Sequence, residues 1–147
     1  MQRSSGAWIG VMLFSLGLAG CPHSAPPAAP APSADAAALA KLIQLPYRPR
    51  QVLFETTAHG SPGLGPTDWS LVALLELEPQ DAAALVASST VAPSAPPPPR
   101  PAWLPPGIEV QRSRSLSPDA FRRAPLLQGN LYYLQDSQRF LLVLFTT

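Results

Sequence analysis

The sequence predicts an α+β fold: a small antiparallel sheet that ends in a C-terminal β-hairpin and carries two or three short helices. Three observations support this. Leu131–Leu134 and Phe140–Phe145 are strongly β-prone and flank the turn-forming Gln135-Asp136-Ser137-Gln138, the pattern of a hairpin. Two earlier runs, Arg50–Thr57 and Trp69–Glu78, are rich in strand formers and carry no breaker. Helix starts stand between these runs and the hairpin.

Before the first strand, Ser33 is positioned as an N-cap for an alanine-rich helix reaching about Ile43, with Asp35 favourable in its first turn. Leu39, Leu42 and Ile43 share one face of it, and Pro46 ends it. Arg50–Thr57 follows as a strand, and Ala58–Pro66 as a Gly- and Pro-punctuated loop. Trp69–Glu78 suits helix or strand, but the alternation Leu75-Glu76-Leu77-Glu78 favours a strand with one face wet. Pro79 then sits at the first position of a helix through Val86. Ile108–Val110 is a candidate short strand. Ser117-Pro118-Asp119 is a candidate helix start, with Ser117 as N-cap. The chain ends almost where the hairpin does, which places its last strand centrally.

Composition sets the limits. The 147 residues suffice for one small domain with appendages. Twenty prolines are clustered, so part of the chain is not regular structure. The formal net charge is +1, and without Arg3 nine basic residues face nine acidic ones. That balance gives little support to nucleic-acid binding or to attraction by charge alone.

The N-terminus has its own logic. Arg3 precedes an uncharged apolar run from Ala7 to Ala19. Thirteen residues of helix span about 20 Å, short of a ~30 Å bilayer core, so an export signal fits better than a permanent span. Leu18-Ala19-Gly20-Cys21 closes the run, with the only cysteine in the chain. These four residues resemble the lipobox of bacterial lipoproteins, a likeness confined to about the first 21 residues. The resemblance implies diacylglyceryl transfer to the Cys21 sulfur, cleavage between Gly20 and Cys21, and acylation of the new amino terminus. Two or three acyl chains anchor stably where one is marginal. Pro22, in place of Asp, resembles the class not retained at the inner membrane, so the outer membrane is favoured. The competing readings are an ordinary signal peptide followed by an incidental thiol, and an uncleaved anchor.

The expected organisation is therefore a signal peptide at 1–20, a lipidated Cys21 with a Pro/Ala-rich tether to 33, and a domain over 34–147. The twelve tether residues from Pro22 to Ser33 reach up to roughly 37 Å as polyproline II. Within the domain a second proline-rich segment, 91–107, reads as a surface excursion.

Few residues suggest chemistry. His23 lies in the tether. His59 has neither a second histidine nor a cysteine nearby, which argues against a two-ligand metal motif. His59-Gly60-Ser61-Pro62-Gly63 lacks the first glycine of a nucleophile elbow, and the glycines of that loop lack the lysine of a phosphate loop. Glu76 and Glu78 on a strand share a wet face, which is most simply solubility. No catalytic residue, metal ligand or cofactor is expected. Trp103 and Leu104, in a stiff proline-rich setting, are candidates for contact with an envelope protein partner, or for folding back over the domain's own core. The expectation is a membrane-anchored envelope protein with a non-catalytic binding or structural role. Alternatives are an immunity or inhibitor protein acting on a partner at the membrane, and a small envelope hydrolase.

Overall fold

In a computed structural model, residues 31–60, 67–92, 96, 98, 100–135 and 137–146 are described. Signal segment, lipobox and most of the tether fall outside these residues, as does most of the loop expected before Pro66. The elements are α1 (Ala36–Leu42), β1 (Gln51–His59), β2 (Asp68–Glu76), α2 (Pro79–Ser88), β3 (Ser113–Leu116), a 3-10 turn (Asp119–Phe121), β4 (Gln128–Leu134) and β5 (Arg139–Phe145). The five strands form one antiparallel sheet in the order β1-β2-β5-β4-β3. The last strand is central, as the sequence predicts.

Local chemistry explains most of the elements. A seven-residue helix is too short to be stable alone, so α1 depends on its cap and its packing. Asp35 is the cap, its Oδ1 accepting from the N–H groups of Ala37 and Ala38 at 2.9 and 3.1 Å. Ser33, the expected cap, instead exchanges backbone hydrogen bonds with Phe54 at 2.8 and 2.9 Å. It therefore blunts the open edge of β1 and already belongs to the fold. Pro79 opens α2 as expected, its missing N–H costing nothing there.

Three other expectations are corrected. Ile108–Val110 is not a strand: both apolar side chains are buried from irregular backbone, and the strand that follows, β3, is Ser113–Leu116. The Ser117-Pro118-Asp119 start gives only a single 3-10 turn, because the Ser117 hydroxyl donates to the Asp119 carboxylate rather than capping backbone N–H groups. The strand at 51–59 extends through Ala58 and His59, which the sequence assigns to the loop.

The expected wet face is wet only in part: Glu76 and Glu78 stand outward of the buried Leu75 and Leu77, but Leu74, on the face of Glu76, is buried. Leu71, Ala73 and Leu75 point into a core roofed by Leu39 and Ile43 of the α1 region, Ala82 and Leu85 of α2, and Phe121. Leu74, on the other side, joins Tyr132, Leu134 and Leu141 beneath Leu104, Ile108 and Val110. The sheet is thus a middle layer, with helices on one side and the proline-rich excursion on the other. The Glu76 carboxylate accepts from the Arg139 Nε–H at 2.9 Å. Gly129 is obligatory in this sheet: its φ is +137°, and a Cβ there would overlap the Val143 carbonyl oxygen of β5.

Candidate functional site

Trp103 and Leu104 are held by the domain itself. Leu104 is 4% exposed and packs on the sheet. The Trp103 indole N–H donates to the Glu55 carboxylate on β1 at 2.7 Å. The organising residue of this segment is Arg100. Its guanidinium donates to the carbonyls of Leu104 at 2.9 Å and Pro105 at 2.7 Å, and also to that of Ile108. Irregular chain is thereby pinned as a layer. From the other end the buried Tyr132 hydroxyl donates to the Pro96 carbonyl at 3.2 Å, and burial raises the phenol pKa above its ordinary value. Leu104 therefore serves the core, and Trp103 is half-buried against it.

The polar candidates lie far apart. Gln51 pairs with Glu76 and His59 with Asp68, so Glu76 and His59 occupy opposite ends of the β1–β2 ladder. Eight residues of strand at about 3.3 Å each separate them. His59 does meet a hydroxyl, its Nε2 lying 2.8 Å from the Ser70 Oγ. A Ser–His pair works as nucleophile and base when a third group orients the imidazole. Here the neighbouring Asp68 carboxylate accepts from the Thr146 hydroxyl at 3.4 Å, and the pair stands exposed on the sheet end. Glu78 pairs with Arg50 at 3.3 Å on the surface. Among the described residues no three His, Cys, Asp or Glu side chains converge as a metal site.

One cleft among the described residues is mainly apolar. At the His59 end of the sheet, on the helix side, a space of about 290 Å³ opens between Leu42, Thr56, Trp69, Pro125 and Leu126, with Lys41 at its rim. Trp69 shares its sheet face with Leu71 and Ala73, but it stands one step beyond the helices that cover them. It is consequently 46% exposed. The turn carrying Pro125 and Leu126 is tied to α1 by the Arg123 guanidinium, which donates to the Ala40 carbonyl at 3.1 Å. The Gln44 N–H also donates to the Phe121 carbonyl at 3.0 Å. The same turn continues to Leu127, 48% exposed, beside Phe145, 40% exposed, at the end of β5. Trp69, Leu127 and Phe145 thus gather at one end of the sheet. Sequence reading missed this group, because the period-2 pattern assigns Trp69 to the covered face and only the length of α1 leaves it uncovered.

No known protein family matches this chain, and neither a curated protein nor a solved structure does so. Among the described residues no helix is long and apolar enough to cross a membrane.

Proposed function

We propose that the chain is a bacterial lipoprotein, anchored through acyl chains on Cys21, whose small α+β domain has a non-catalytic binding or structural role in the cell envelope. The observation that carries this reading is Leu18-Ala19-Gly20-Cys21. It places the chain's one cysteine directly after an uncharged apolar run and before Pro- and Ala-rich sequence. The thiolate is the one nucleophile there able to take a lipid. The outer membrane is the favoured site, facing the periplasm or displayed at the surface. The lipid supplies location, the residues to about 33 supply reach, and the domain supplies a surface. A binding role draws support from the apolar cleft at Trp69 and from the separation of His59 from Glu76 and Glu78.

The test is mass spectrometry of the mature chain from membranes, beside Cys21→Ala. The expected result is an N-terminal Cys21 carrying diacylglyceryl and a further acyl chain. Cys21→Ala should retain the leader and lose stable anchoring through lipid. An unmodified Cys21 in the mature protein would sink the reading.

A further inference from the structure

We propose that the end of the sheet bearing Trp69, Leu127 and Phe145 rests on the lipid surface to which the chain is anchored. The inference builds on the lipoprotein reading, and three independent observations carry it.

The first is clustering. Three of the four large apolar side chains exposed among the described residues lie at this end; the fourth, Val91, lies outside the β3 edge. The register makes them neighbours: Phe145 is paired with Ser70 on one side and Gln128 on the other, next to Trp69 and Leu127 in sequence. Tryptophan suits such a place, since its indole is apolar with one polar N–H, the property that concentrates it at bilayer interfaces.

The second is the direction of the anchor. Ser33 pairs antiparallel with Phe54, so the chain read back from Ser33 to Ala31 heads toward the His59 end of β1. That end also holds Trp69. Ten residues, 21 to 30, run from the lipidated Cys21 up to the described chain. Fully extended they span at most about 36 Å. The described chain therefore begins on the side on which the apolar group lies, and within that reach the anchor and the group can meet one bilayer together.

The third is charge. Lys41 rims the cleft and Arg123 stands exposed on the adjoining turn, both able to meet anionic headgroups. Asp68 at the same end opposes them, so the contact depends chiefly on apolar insertion. Lipid is favoured over a protein partner because the group straddles the end of the sheet from both of its faces. That shape suits a plane better than a groove suits a single segment.

Cys21 is the sole thiol, so a maleimide lipid can couple a chain begun at Cys21 to vesicles whatever cells do to it. Both cores lie between Leu39 and Leu144, so this chain keeps every described element. Two single-tryptophan versions serve, Trp103→Phe reporting on Trp69 and Trp69→Phe reporting on Trp103, each checked for native circular dichroism. On phosphatidylethanolamine and phosphatidylglycerol vesicles with brominated acyl chains, Trp69 emission should shift to the blue and fall roughly twofold or more. Trp103 emission should hardly change. An unquenched Trp69 on vesicle-coupled chain overturns the inference. A blue shift that follows protein concentration without vesicles does the same, since a second copy then covers the face. Failure here with a natively lipidated Cys21 removes only the inference, whereas an unlipidated Cys21 in cells removes the anchor beneath it.

Discussion

The two faces of the sheet are covered by different means. On one side α1 and α2 lay Leu39, Ile43, Ala82 and Leu85 against the strands, and apolar burial supplies the cohesion. On the other, irregular chain lays Leu104, Ile108 and Val110 over Leu74, Tyr132 and Leu141. Irregular backbone cannot satisfy its own carbonyls as a helix does. Side chains do it there instead: Arg100 donates to three carbonyls and Tyr132 to a fourth, while Trp103 ties the segment to Glu55. A helix brings its hydrogen bonds with it, whereas a proline-rich cover must obtain them from outside.

Leu141 and Leu142 put this contrast to its strongest test. They are consecutive in the central strand, chemically identical, both fully buried, and they face opposite layers. Leu142→Ala should cost about 4 kcal/mol, near the upper part of the range for buried leucine, because the helical layer over it collapses poorly into the cavity. Leu141→Ala should cost nearer 2–3 kcal/mol, because the loop layer can settle. Urea unfolding of the two variants decides the matter, with equal or reversed costs breaking the contrast.

Arg100→Met sharpens it from the loop side. The substitution keeps most of the apolar stem and removes every donor, leaving carbonyls at 104, 105 and 108 to find water. Expected destabilisation is about 1–3 kcal/mol. Its distribution is more telling than its size. Amide exchange should rise at Leu104 and Ser113, whose N–H groups donate to the Pro101 and Val110 carbonyls, while Leu85 and Leu142 keep their protection, since local opening need not involve the helical layer. Uniform loss of protection over both faces would mean that the two layers form one cooperative unit.

The same difference explains what could be read in advance. The hairpin, β2 and the Pro79 helix start are written locally, in β-formers, turn residues and a proline at N1. Asp35 took the cap from Ser33 because a long-range pairing with Phe54 claimed Ser33, and no local rule contains Phe54. β3 was hidden because Ser113-Arg114-Ser115-Leu116 buries only Leu116, and its identity as a strand comes from pairing with β4. The loop layer was hidden more deeply. Alternating Leu and Glu at 75–78 matches the burial of Leu75 and Leu77 and the exposure of Glu78, and only the folded position of residues 100–110 shows the same face to be covered farther along, at Leu74. At the candidate site, the Trp69 group was hidden because it is assembled from three strands' ends, whereas the proposed lipidation of Cys21 rests on a contiguous motif.

The smallest expected effect concerns Tyr132, which the loop layer covers. Its phenol is buried and donates to the Pro96 carbonyl, and burial raises its pKa above the ordinary value of 10.0. The folded state thus holds the proton more tightly than the unfolded chain does. The stability this contributes is complete below pH ~10 and is lost as pH climbs through the raised folded value. Tyr132→Phe should cost only about 0.5–1.5 kcal/mol at neutral pH, through the lost hydrogen bond. It should also flatten the decline in unfolding free energy above pH ~10 relative to the parent chain. A parallel decline in both chains would show that the loop layer opens before the phenol ionises, leaving Tyr132 in water at the pH where its burial was expected to matter.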